Sequence, residues 1–308
     1  MVQRQRCSTV RWVAPVMTAF VALFVAGCAA APASPTPEAD EQLHVVTSTS
    51  ILADFVHQLA GDEVRVTSLV PVGGDPHVHE PTPSDARAVH DADLVIGNGV
   101  GLEPWFDTLV GDGDDVVMLA EAVSHLVVDD EDGRPDPHLW MVPTIAAVYA
   151  EHLADELGAR RPDDADAYRS AAADYRERLE RLDAELAGRL AAIPEEHRTL
   201  VTSHDAYHYF ADHYGLQVHT VVGVSTEEEP SAARVQHLVD VVRRTGVPTV
   251  FVETTVNPAV MHRIAEDAGA AVGDPLYGDS LGPPGSGADD YVGMMRANVE
   301  ALVDGLAR

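Results

Sequence analysis

Between Pro162 and Pro194 the chain has little choice of structure. Tyr168, Ala172, Tyr175, Leu179, Leu182, Leu186 and Leu190 recur at steps of three and four, the spacing that gathers side chains on one face of an α-helix. Pro162 followed by Asp163 and Asp164 supplies a start, Pro194 enforces a stop, and neither glycine nor proline interrupts the pattern before Gly188. The pattern predicts one helix over 163–192, about 45 Å long at 1.5 Å per residue. A helical hairpin within this stretch is the alternative, but it lacks a breaker.

On both sides of that helix, short β-rich runs alternate with helical patterns. Leu43–Thr47, Val64–Val70, Leu94–Ile96 and Val116–Leu119 precede it; Thr199–Thr202, Leu216–Val222, Thr249–Glu253 and the shorter Ala270–Val272 follow it. Strands alternating with helices imply parallel sheet. The expected fold is therefore α/β, with two lobes over 43–162 and 194–308 and the long helix (163–193) bridging them.

Composition narrows the partners. There are 20 Lys+Arg against 50 Asp+Glu, a formal net charge of −30, and no lysine at all. A field of that sign makes nucleic acid and anionic membrane surfaces poor partners. It also draws cations towards any cleft, although solubility alone is a sufficient reason for acidity. The 308 residues, 46% of them hydrophobic, can bury a sizeable core.

Both cysteines lie at the N-terminus. Met1 to Arg11 carries three arginines and no acid, and Val13 to Gly27 is an apolar run ending in Val25-Ala26-Gly27-Cys28. That run is short for a membrane span, and small residues before a cysteine resemble a bacterial lipoprotein signal. Residues 1–27 are then a signal peptide, Cys28 becomes the lipid-modified first residue, and 28–42, with Pro32, Pro35 and Pro37, is a flexible tether. Such a tether reaches roughly 20 Å and would anchor the folded part close to the cell membrane, outside the cytoplasm. With no other cysteine left, disulfides and thiolate metal sites are excluded, so the chemistry must come from oxygen and nitrogen.

Of the 15 histidines, the informative ones follow rigid turns. Asp75-Pro76-His77 follows a β-rich run and Asp136-Pro137-His138-Leu139-Trp140 follows an acidic loop. Proline fixes its own φ and restrains the residue before it, so each histidine leaves its turn in a defined direction. As a pattern alone, the pair is equally well explained by two surface turns.

Taken with Glu80-Pro81-Thr82-Pro83-Ser84-Asp85, Ser203-His204-Asp205-Ala206-Tyr207, Phe251-Val252-Glu253-Thr254 and Leu276-Tyr277-Gly278-Asp279-Ser280-Leu281, these motifs closely resemble the zinc/manganese solute-binding lipoproteins of bacterial ABC importers (periplasmic solute-binding protein family 9, cluster A-I). The likeness covers essentially the whole chain after Cys28. It implies two Rossmann-like α/β lobes joined by one long rigid helix, with a metal held in the interlobe cleft by His77 and His138 from the first lobe and His204 and Asp279 from the second. Three imidazoles and a carboxylate suit a borderline divalent ion and can close a tetrahedron around zinc. Members that prefer manganese carry a glutamate at the third position, so His204 favours Zn2+, with Mn2+ as the alternative. Proton competition should lower affinity as pH falls through the histidine range near 6.5.

The same resemblance gives the partners, an ABC transporter permease and its ATPase, and a monomeric carrier with no catalytic activity. His79 and His208 depart from the family pattern. They are expected at the rim, although His208 shares a face with His204 if a helix starts there. Asp205, Glu253 and Glu80 are expected to orient the imidazoles. Asp129-Asp130-Glu131-Asp132 stands where zinc-dedicated members often carry a histidine-rich loop, and Glu227-Glu228-Glu229-Pro230 reads as a charged helix start. Two other readings stand beside transport. A zinc hydrolase can be built from the same residue types, but it keeps an open coordination position, and no His-Glu-x-x-His, Gly-x-Ser-x-Gly or Walker-type loop is present. A surface adhesin would need a host ligand that nothing in the sequence identifies.

Overall fold

Strand β1 (Leu43–Thr47) is buried along its whole length, as the inner strand of a parallel sheet covered on both faces must be. The computed structural model describes residues 42–111, 115–130 and 133–308. In it, β1 pairs in parallel with β2 (Val64–Ser68) and with β3 (Leu94–Gly97), placing Val45 opposite Val66 and Leu94. β4 (Val116–Met118) adds to the far side of β3, giving the order β2-β1-β3-β4. Helix α1 (Ser50–Ala60), capped by the Thr49 side chain accepting from Leu52 N, covers this sheet, and α2 (Pro83–His90) opens with a capping box between Thr82 and Asp85.

The C-terminal half repeats the plan. β5 (Thr199–Thr202) pairs in parallel with β6 (Gln217–Thr220), and β7 (Thr249–Val250) with β8 (Ala271–Val272). Phe251 N donates to Val201 O (2.8 Å) and ties β7 to β5. The pairs therefore follow one another as β6-β5-β7-β8, the order of the first sheet. Helices α5 (His208–Tyr214), α6 (Ala232–Thr245), α7 (Ala259–Ala268) and α8 (Tyr291–Leu306) intervene or follow.

Between the sheets lie α3 (Pro143–Arg160) and α4 (Ala165–Leu190). The long helix is uninterrupted, as the periodicity predicts, and buries all seven of its stripe residues. It begins two residues late and ends two early. Its partner α3 runs back along it, joined by the four residues Arg161–Asp164. Near the turn a Cβ on Gly158 would sit 3.0 Å from Ala165 Cβ, so the absence of a side chain there eases the close approach of the two helices. Phe55 of α1 meets Tyr175 of α4 (ring centroids 6.3 Å) and Tyr291 of α8 (5.2 Å), and Glu185 of α4 pairs with Arg296 of α8 (2.7 Å), so α4 touches helices from both halves.

The described residues form one compact unit. Among the described residues no helix is long and apolar enough to cross a membrane. The expected signal peptide (1–27), Cys28 and all but the last residue of the tether lie outside the described residues, as do Glu131 and Asp132.

Candidate metal centre

His77 lies in the β2–α2 connection, His138 between β4 and α3, His204 two residues beyond β5, and Asp279 between β8 and α8. Each thus follows the carboxyl end of a parallel strand, where sheets of this kind build their ligand sites. The four side chains converge: one nitrogen or oxygen atom from each lies within 4.8 Å of all the others, and all four residues are buried. Asp279 presents both oxygens to the imidazoles. Its Oδ1 is 3.4 Å from His138 Nε2, and its Oδ2 is 3.2 Å from His204 Nε2 and 3.8 Å from His77 Nε2. His138 Nε2 and His77 Nε2 are 3.4 Å apart.

Backbone chemistry aims these side chains. Both Asp-Pro-His turns are closed alike, the aspartate accepting from the backbone N–H two residues on: Asp75 Oδ1 from His77 N (2.9 Å) and Asp136 Oδ1 from His138 N (3.0 Å). Asp136 Oδ1 also lies 2.7 Å from His138 Nδ1, which turns the opposite ring nitrogen to the centre. Glu253 serves His204 in the same way. Its Oε1 accepts from His204 N (2.9 Å) and Thr202 Oγ1 (3.0 Å), while its Oε2 is 2.7 Å from His204 Nδ1. Carboxylates behind ligating imidazoles fix tautomer and orientation and raise basicity. Trp140 stacks edge-on against His138 (5.3 Å) and donates to Gly278 O (3.1 Å), coupling the second and fourth loops. A Cβ at Gly278 would fall 2.9 Å from Glu253 Oε2, so the loop ending in Asp279 can close over Glu253 only with glycine there.

Electrostatics divide the three imidazoles. Burial drives His77 down to about 3 despite Asp279, with His138 and His204 adding to the depression. Burial also opposes charge on His138, but Asp136 and Asp279 outweigh it and push that imidazole up to about 9. His204 is held well above its usual range because Glu253 and Asp279 overcome its burial. Asp279 is likewise buried, yet His204 and His138 hold it well below the usual carboxylate range. His77 Nδ1 has no hydrogen-bond partner. The fully buried Asp279 carboxylate is met by imidazole nitrogens 3.2 to 3.8 Å away, and a divalent cation is the partner that three imidazoles and a carboxylate fit.

The sequence expectations divide on inspection. Of the three acids expected to orient imidazoles, Glu253 does so, behind His204; the acid behind His138 is Asp136, which was not among them. Asp205 Oδ1 is buried without a hydrogen-bond partner, and the residue lines a separate cavity. Glu80 is exposed. His79 lies outside the cluster, 3.4 Å from Asp85 Oδ2 and edge-on to Trp105 at 4.7 Å. His208 is exposed, because α5 begins at that residue and leaves His204 outside the helix, so the two share no helical face. The signal for Asp136 lay within its own motif: an aspartate two residues before histidine, across a proline, can reach both the backbone N–H and the ring.

The sequence model of the family described as "ZnuA: Zinc-uptake complex component A periplasmic" matches residues 45–305. The chain belongs to this family. Its members are substrate-binding components of ABC importers and not enzymes, which removes the hydrolase alternative. Similar proteins include the manganese-binding lipoprotein MntA of Halalkalibacterium halodurans, 39% identical over 290 residues, covering 94% of this chain and 96% of that protein. The manganese ABC transporter substrate-binding lipoprotein PsaA of Streptococcus pneumoniae is 32% identical over 305 residues, 96% and 98% of the two chains. Among solved structures, the periplasmic zinc-binding protein TroA from Treponema pallidum superposes with a TM-score of 0.83 at 29% identity, over 87% of this chain and all of that one. The mixed α/β architecture with a His/Asp group in its core is thus the fold of a ZnuA-family metal-binding protein.

Proposed function

We propose that the chain is an extracytoplasmic lipoprotein that captures one divalent metal ion with His77, His138, His204 and Asp279 and delivers it to an ABC permease driven by a cytoplasmic ATPase. It acts as a monomer, anchored through lipidated Cys28, with lobes over 43–162 and 194–308 bridged by the long helix. The observation that carries this reading is the convergence of four buried donors, drawn from loops up to about 200 residues apart, within 4.8 Å.

Zinc is the preferred cargo. At any site of imidazole and carboxylate donors zinc binds more tightly than manganese, so selection of manganese depends on geometry and availability. Manganese is the second reading. MntA and PsaA are named for it, and the two Asp279 oxygens raise the available donors from the expected tetrahedral four to five, adding a hard oxygen. Elemental analysis and competition dialysis of the purified chain test both readings. One tightly held equivalent, with zinc displacing manganese, is expected; a chain that holds neither metal overturns the carrier reading, and manganese displacing equimolar zinc overturns the zinc preference.

A further inference from the structure

A second group of metal-binding side chains lies outside the buried cluster. A cavity of about 470 Å³ opens between α5, β6 and α6, bounded on another side by Asp129 and Asp130. His208 and Asp212 line it from α5, and at i and i+4 they share one helical face. His219 enters from β6 and His237 from α6. From these residues we infer a second, weaker and solvent-accessible site for a borderline divalent cation, with His219 and His237 as its core ligands and His208 and Asp212 completing it.

The buried cluster provides the ruler. Its three imidazole pairs have ring centroids 5.2 to 5.6 Å apart, with planes at 56° to 80°. His219 and His237 are 6.4 Å apart with planes at 65°, the same mutual attitude at a separation only about 1 Å wider. Among the described residues the buried cluster is the one group of three or more such donors within 4.8 Å, so the cavity site closes only when its side chains turn inward. His237, His208 and Asp212 are exposed and His219 is half-buried, so the adjustment is a rotamer change at the surface. The mixture of imidazole and carboxylate suits zinc and its neighbours in the transition series.

Charge permits it. Arg234 is the cation among the described lining residues, and its Nε is engaged with Thr220 O (3.1 Å), whereas Asp205, Asp212 and Asp129 border the space, as does Asp130, whose charge is matched by Arg134 (3.1 Å). Asp205 also places this cavity one residue along the chain from His204 of the buried cluster.

Equilibrium dialysis of the full chain against zinc, read by elemental analysis, tests the inference. Two equivalents are expected, the second bound at least about 100-fold more weakly because its ligands are exposed and not pre-aimed. The double variant His219→Ala/His237→Ala should keep the tight equivalent, which also reports correct folding, and lose the weak one. A control pair on exposed helical surfaces, His90→Ala/His262→Ala, should keep both. Saturation at one equivalent up to about 1 mM zinc, a range that still reveals weak imidazole sites, overturns the inference. So does a weak equivalent that survives His219→Ala/His237→Ala, or one that disappears equally in the control. Loss of the tight equivalent in His138→Ala speaks only to the carrier reading, so the two readings fail independently.

Discussion

The two Asp-Pro-His turns begin identically and end differently. In each, proline stiffens the bend and the aspartate accepts from the histidine N–H. Asp136 then spends its remaining reach on the ring of its own histidine, while Asp75 turns its second oxygen to Thr226 Oγ1 (2.6 Å), in the segment between β6 and α6. The consequence appears in the imidazoles: His138, backed by a carboxylate, is pushed up to about 9, and His77, without one, falls to about 3. One motif therefore makes two kinds of imidazole, a basic one that holds its proton and a neutral one.

The comparison breaks most plainly if either histidine is dispensable. His77→Ala and His138→Ala should each weaken zinc binding by more than about 100-fold, above the usual cost of losing a supporting residue; isothermal titration with a competing chelator would show it, and wild-type affinity in either variant removes that residue from the ligand set. Next in size, Asp136→Ala should weaken binding by about 10- to 100-fold, the range for a carboxylate behind a ligating imidazole, and Asp75→Ala by less than about tenfold. Equal losses would mean that the turns act only through the backbone.

The pH dependence sharpens the same contrast. With His138 pushed up to about 9 and His77 down to about 3, metal binding near pH 7.5 should release roughly one to two protons, none of them from His77. Calorimetry in buffers of different ionisation enthalpy measures the number, and zero release contradicts the raised imidazole. Affinity should then keep rising above pH 6.5, up to about 9, and not level off in the ordinary histidine range. For the metal-free fold the signs oppose each other. The His138 contribution to stability is fully present below pH 6.5 and lost as pH climbs to about 9, whereas the buried neutral His77 costs stability as pH falls from 6.5 towards 3. Thermal melts across this range should show both flanks. Smallest of all, Thr226→Val removes only the bond to Asp75 and should cost about 1 kcal/mol of stability, with zinc affinity changed less than about twofold.

Much of this was legible in the sequence where one residue type dictates one backbone. β1 and β5 fall where the β-branched runs place them, and the leucine and tyrosine stripe marks α4 to within two residues at each end. The expected strand over Thr249–Glu253 stops at Val250, because Glu253 leaves the ladder, keeps a single bridge to Leu276, and passes beneath His204. Helix α3 carries a weaker sequence signal because Ala146, Ala147, Ala150, Ala154 and Gly158 make up much of its buried face, and they pack closely but carry little apolar contrast. The site is harder to read than the fold for a physical reason: which acid backs which imidazole depends on tertiary approach, so of the acids expected to orient the imidazoles Glu253 does so, while Asp205 and Glu80 do not and Asp136 does.

The strut formed by α4 has a thermodynamic consequence. Its stripe residue Tyr175 packs on Phe55 of α1, which packs in turn on Tyr291 of α8, so helices from opposite ends of the chain share one apolar interior and neither end can melt and leave the other's interior intact. Heating should therefore give a single calorimetric transition, and a bound ion would raise its midpoint as a whole.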